Sequence, residues 1–157
     1  MEKNLTIQFY EFESWKMLSD ADQELVMKAY DISKNAYAPY SEFHVGASVR
    51  MDNGAVLTGS NQENIAYPSG LCAERVVLFF AGSQFPKTKI ETICVVAKGD
   101  LLPFDKILSP CGACRQVMLE TEIRQSAPMR VILVSQNEKT LVFKNVKDLL
   151  PFAFGTI

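Results

Sequence analysis

Two short segments constrain this chain more than anything else in it. Pro68-Ser69-Gly70-Leu71-Cys72-Ala73-Glu74-Arg75 supplies one thiol and, two residues on, a carboxylate. Ser109-Pro110-Cys111-Gly112-Ala113-Cys114-Arg115-Gln116 supplies two thiols in a Cys-x-x-Cys spacing. Three thiolates suit a single zinc ion per chain and leave its fourth tetrahedral position open. Structural zinc sites are usually closed by four protein ligands, whereas catalytic sites keep three. Any fold of this sequence must therefore bring the two segments together. Glu74 cannot easily ligate the same ion as Cys72 from this spacing and is better placed beside the open position. A carboxylate there takes a proton from water and later delivers protons to a substrate and its leaving group.

The rest of the sequence favours metal over disulfides. The N-terminal Met1-Glu2-Lys3-Asn4-Leu5-Thr6 lacks the apolar core of a signal peptide. The longest apolar run, around Val76 to Ala81, falls far short of the roughly 18 residues of a membrane span. A cytoplasmic location with reduced thiols is expected. A net charge of −2 gives no general reason to bind nucleic acid, and no basic stripe is visible. The expected partner is a small molecule, with no nucleic acid and no membrane. A redox pair or half of a zinc ribbon are alternative readings of Cys-x-x-Cys, but a ribbon wants a second such pair and none exists. Cys94 lies in an apolar run and reads as a buried free thiol. His44, the only histidine, reads as a packed or rim residue.

The 157 residues suit one domain, 1–157, with residues 1–19 as an aromatic-rich arm packed on it or on a neighbour. Ser19 or Asp20 can cap a helix from about Ala21 to Ala36, and Pro39 forbids its continuation. Phe43 to Met51 and Ala55 to about Asn61 flank Asp52-Asn53-Gly54, a hairpin signal. Leu71 to about Gly82 reads as a short helix buried on most sides, with Cys72 in its first turn. Ile90 to Ala97 and Met129 to Ser135 read as covered strands. Pro110 opens a helix from Cys111 to about Arg124. Thr140 to Phe143 reads as a short edge strand and Val146 to Leu150 as a last helical turn. The pattern predicts an α/β fold, three layers α/β/α, around a mixed sheet of about five strands.

Both cysteine segments then fall at helix N-termini. Three thiolates and Zn²⁺ sum to a net negative charge, which weakens the metal as an acidifier of water. Helix N-termini carry partial positive charge and free N–H groups that offset it. Arg75 and Arg115 are candidates to donate to the thiolates and draw charge off sulfur. Water at the open position then ionises near neutral pH and attacks an amidine-like carbon, with loss of ammonia. The Cys-x-Glu and Pro-Cys-x-x-Cys pair matches the signature of zinc nucleobase deaminases.

Beyond the zinc motifs, residues 20 to 154 resemble the small homotetrameric cytidine deaminases. Ala38-Pro39-Tyr40-Ser41-Glu42-Phe43-His44-Val45-Gly46-Ala47 resembles the family's Pro-Tyr-Ser-x-Phe-x-Val-Gly-Ala. Gly59-Ser60-Asn61-Gln62-Glu63-Asn64 resembles its Asn-x-Glu-Asn segment, and Leu149-Leu150-Pro151-Phe152-Ala153-Phe154 its C-terminal Leu-Leu-Pro-x-Ala-Phe. The sequence departs from the pattern at His44, where proline is common, and in an arm longer than the shortest members have. The resemblance implies that Cys72, Cys111 and Cys114 hold zinc and that Glu74 shuttles protons. It implies that Asn61 and Glu63 bind ribose hydroxyls, chiefly the 3′-OH, and that Phe43 packs on the nucleoside. The Ala73 N–H would hold the pyrimidine carbonyl and the Ser109 carbonyl the exocyclic amine. Phe154 would stack on the base in a neighbouring subunit's site, in a homotetramer with shared active sites. The implied activity is hydrolytic deamination of cytidine and 2′-deoxycytidine in pyrimidine salvage. A deaminase of another cytosine nucleoside, such as blasticidin S, or a silent zinc-stabilised scaffold are the alternatives.

Overall fold

A computed structural model describes residues 1–155. Its strands are β1 (Tyr10–Phe12), β2 (His44–Met51), β3 (Val56–Ser60), β4 (Ile90–Lys98), β5 (Arg130–Val134) and β6 (Thr140–Phe143). Its helices are α1 (Asp20–Ser33), α2 (Ala73–Gln84) and α3 (Gly112–Gln125), with short 3-10 turns at Trp15–Met17, Tyr67–Ser69 and Val146–Leu149. One sheet runs β1-β6-β5-β4-β2-β3, with β4 and β5 parallel and every other pair antiparallel.

The alternation of a pleated strand divides the core between two faces. Cys94 and Val96 of β4 face α1, packing with Leu25, Val26 and Ala29 and with Ile132 and Val134 of β5. Ile93 and Val95 face the opposite way, toward Val77, Leu78 and Ala81 of α2 and Met118 and Leu119 of α3. The layers are therefore α1, sheet, and α2 with α3. Gly46 sets how closely α1 approaches, since a Cβ there would lie 1.9 Å from the Ala29 carbonyl oxygen. The β2–β3 turn forms as its sequence predicts. Gly54 has φ +83°, and Asn53 Oδ1 accepts from the Ala55 N–H.

Several expectations need correction. The sheet has six strands, because the arm contributes β1, pairing Tyr10 with Val142 and Phe12 with Thr140. Three residues are too few for a period to show, and the strand is held largely by partners distant in sequence. Lys139 Nζ bonds Glu11 at 2.9 Å, and Ser14 and Lys16 both reach Glu138. Thr140–Phe143 is thus an interior strand, buried throughout. α1 stops at Ser33, and turn-type bonds carry the coil on to Ala36. α2 is not buried on most sides: Phe79 and Phe80 are 50% and 49% exposed.

Candidate metal centre

Cys72 and Cys111 are N-caps of α2 and α3, so each precedes its helix instead of sitting in the first turn. Neither makes a side-chain capping bond, which leaves both sulfurs to face each other across the α2–α3 pair. Cys114 lies one turn into α3 and is buried. The sulfurs of Cys72, Cys111 and Cys114 all lie within 4.8 Å of one another, and Cys111 Sγ is 3.4 Å from Cys114 Sγ. Tetrahedral bonds of about 2.3 Å put sulfurs roughly 3.8 Å apart, so the cluster has the size of a zinc site. No carboxylate or histidine joins the three thiols as a fourth ligand among the described residues. Cys94 is buried on the α1 side, and burial raises its thiol pKa, as suits an inert core thiol.

The charges around the sulfurs are unequal. A hydrogen bond from Cys114 draws the Cys72 thiol down to about 5, and Arg75 adds to the pull against the effect of burial. Cys114 shifts upward through that same bond and through burial. Arg75 Nη2 lies 3.7 Å from Cys72 Sγ, as expected of a donor to the thiolate. Arg115 does not reach a sulfur. Its Nε donates to the Pro110 carbonyl, its Nη1 to the Leu149 carbonyl and its Nη2 to Ser109 Oγ. The guanidinium is instead a tie between the loop before Cys111 and the C-terminal segment. Its reach past Pro110 to Leu149 depends on tertiary contacts that spacing from Cys114 does not reveal.

Glu74 sits in the first turn of α2, 4% exposed. Burial pushes its carboxyl up to about 7, and the Cys72 thiolate adds to the push, against bonds from its own backbone N–H and from Cys114. A buried carboxyl with a raised pKa two residues from Cys72 makes Glu74 a candidate for proton transfer.

Beside Cys72 a cleft of about 480 Å³ opens, lined by Tyr40, Ser41, Asn61, Glu63, Tyr67 and Arg75 among others. A larger groove of about 1130 Å³ borders α1 and includes His44, but it contains none of the cluster cysteines, so volume alone does not mark the site. Asn61 bridges the start of β2: its Oδ1 accepts from the Val45 N–H and its Nδ2 donates to the Phe43 carbonyl, both at 2.8 Å. Glu63 accepts from the Tyr40 and Ser41 N–H groups and from Ser41 Oγ. Gln62 pairs with Leu71 in both directions at 2.9 Å, which ties this segment to the residue before Cys72. Phe43 is buried in the α2-side core. Ala73 is buried at the start of α2, and Ser109 is exposed. Phe154 is 89% exposed, its carbonyl held by Gln116 Nε2 at 2.7 Å. Ser41 and Gln116 received no role from the sequence. Ser41 lies within the motif-bearing stretch, but its hydrogen bond to Glu63 appears only in the fold.

The family model for the cytidine and deoxycytidylate deaminase zinc-binding region matches residues 19–129. The chain belongs to this family. The matched stretch contains the three cysteines and Glu74, and the donor set fits the zinc that the family binds. A cytidine deaminase of Mycobacterium tuberculosis is 35% identical over 142 residues, covering 88% of this chain and 93% of that protein. One from Halalkalibacterium halodurans is 43% identical over 98 residues, 62% of this chain and 70% of that protein. The crystal structure of a cytidine deaminase from Burkholderia pseudomallei aligns with TM-score 0.74 at 34% identity, covering 87% of this chain and 100% of that one. The fold is thus that of a zinc-binding deaminase family member, with β1, β5, β6 and the C-terminal segment outside the matched region.

Proposed function

We propose that the chain hydrolyses cytidine and 2′-deoxycytidine to uridine and 2′-deoxyuridine with release of ammonia. The observation that carries this reading is Glu74, a buried carboxyl beside three converging thiols with no fourth protein ligand among the described residues. Cys72, Cys111 and Cys114 would hold the zinc, which would supply the Lewis acidity that lets a water molecule ionise near neutral pH. Glu74 accepts that water's proton on its carboxylate. It would pass that proton to the ring nitrogen, then take the hydroxyl proton left on the attacked carbon and pass it to the departing amine, so that ammonia leaves neutral and a carbonyl remains. Arg75 tempers the charge of the Cys72 thiolate. Arg115 holds the Ser109 and Pro110 loop in place.

Asn61 and Glu63 take the ribose 3′-OH. Both border the cleft, Asn61 buried and Glu63 half-buried, and polar groups fixed there penalise a ligand lacking the matching hydroxyl. Ala73 offers a first-turn N–H of α2 to the pyrimidine carbonyl, and Ser109, anchored by its hydroxyl, offers its carbonyl to the exocyclic amine. Phe43 backs the nucleoside. Phe154 stacks on the base in a neighbouring subunit. Its exposure and the half-exposed Phe79 and Phe80 support a homotetramer with shared sites. The whole chain acts as one catalytic domain in pyrimidine salvage in the cytoplasm, where thiols stay reduced. No helix is long and apolar enough to cross a membrane among the described residues, and the net charge of −2 argues against a nucleic-acid substrate. Incubating the purified protein with cytidine, deoxycytidine, cytosine and CMP tests the reading. Uridine-type product and ammonia from the two nucleosides are expected, with little from cytosine; product from neither nucleoside rejects it.

A further inference from the structure

The least explained feature of the cleft is how firmly its own turn holds Glu63. Its Oε2 accepts from the Tyr40 N–H at 2.9 Å and from the Ser41 N–H at 3.3 Å. Its Oε1 accepts from Ser41 Oγ. The same hydroxyl oxygen accepts from the Phe43 N–H at 3.1 Å. Ser41 therefore stands between the carboxylate and the start of β2, oriented by one and orienting the other. A carboxylate has about four acceptor positions. Three are engaged by this turn, which narrows where a further donor can approach.

The turn is itself braced. Tyr37 N–H bonds the Asn61 carbonyl at 3.0 Å, and Glu63 N–H bonds the Tyr37 carbonyl at 2.8 Å. Glu42 is held at φ +53°, a left-handed conformation rare for a residue with a side chain, and its N–H bonds the Ala38 carbonyl at 3.0 Å. On the other side Gln62 pairs with Leu71, next to Cys72. The bracing gives Glu63 a fixed position relative to the cysteine cluster, and Ser41 Oγ is the one side-chain donor that fixes its rotation among the described residues.

We infer that Ser41 is a positioning residue for sugar recognition: its hydroxyl sets the Glu63 carboxylate so that the remaining acceptor position meets the 3′-OH of a nucleoside. The inference rests on the proposed cytidine deaminase reading and deepens it. Ser41 touches neither the thiols nor Glu74 by any hydrogen bond described, so its removal acts on binding and not on proton transfer. The hydrogen bonds to Glu63 also lower its pKa against the effect of desolvation, which keeps it an acceptor.

Ser41→Ala, Ser41→Cys and Ser41→Thr are compared with wild type using cytidine, 2′-deoxycytidine and 3′-deoxycytidine. Losing a hydrogen bond to a charged group corresponds to about tenfold or more, and the lower end applies here because Ser41 acts through Glu63 and not on the sugar itself. Ser41→Ala and Ser41→Cys are expected to raise KM for cytidine and 2′-deoxycytidine about tenfold, with kcat and bound zinc unchanged. KM for 3′-deoxycytidine should hardly move, so the preference for a 3′-hydroxyl falls, and Ser41→Thr should restore it. An unchanged KM in Ser41→Ala, or equal increases for all three nucleosides, overturns the inference while wild-type turnover of cytidine leaves the functional reading intact. No cytidine turnover by wild type overturns both.

Discussion

Asp22 offers a stability test that reports on the α1 side of the sheet. It lies in the first turn of α1, buried, and joins Arg50 of β2 and Arg130 of β5, each at 3.0 Å. Both guanidinia also contact Thr92 of β4. Asp22→Asn keeps the shape and removes the charge. Breaking a buried pair costs about 3–5 kcal/mol. The Arg130 side chain is 39% exposed, so its share is screened and discounted toward about 1 kcal/mol. Arg50 is 21% exposed and keeps the Ala21 carbonyl and Glu91 as partners, which limits its share to about 2 kcal/mol. A total near 3 kcal/mol lowers Tm by about 6–12 °C for a chain of this size. Burial alone raises the Asp22 pKa, but hydrogen bonds and charge from Arg130 and Arg50 overcome it and hold it below the ordinary value. A depressed carboxylate contributes stability that is full above its unfolded pKa of about 3.9 and is lost as pH falls through the folded value. Thermal melts of wild type and Asp22→Asn should therefore differ most near neutral pH and converge in acid. A neutral-pH difference under about 2 °C, or one that persists unchanged in acid, refutes the reasoning.

Cys111→Ser should lose bound zinc and, because metal binding contributes folding free energy, melt lower. Metal analysis showing zinc undiminished would remove Cys111 from the ligand set. Phe154→Ala should raise KM by about tenfold through lost stacking on the base, measured with cytidine, while sedimentation shows the assembly intact. Full activity from a monomeric species contradicts a site completed by a neighbour.

The cysteine spacing is readable in the sequence because three thiols suit zinc, and the three helices exist where the pattern predicts them, with ends that differ by one to three residues. The Asp52-Asn53-Gly54 turn was equally legible, since left-handed backbone at Gly54 is a local requirement. What escaped was set by distant partners. Strand β1 exists because Val142 and Thr140 offer an edge and Glu138 and Lys139 bind the arm, none of which a three-residue stretch reveals. Arg115 is adjacent to Cys114 in sequence, yet its guanidinium turns toward Leu149. Phe79 and Phe80 read as core by hydropathy, but α2 turns them outward. Ser41 is one small polar residue in a turn, and only the fold shows that Glu63 lies against it.

In the proposed reaction Glu74 moves protons beside a zinc it does not hold. The direct measurement is Glu74→Gln, with zinc content and cytidine turnover determined on the same preparation. Zinc near one per chain with turnover lowered by about 10²-fold or more is the predicted result. Turnover close to wild type, or zinc lost along with the carboxylate, would contradict it.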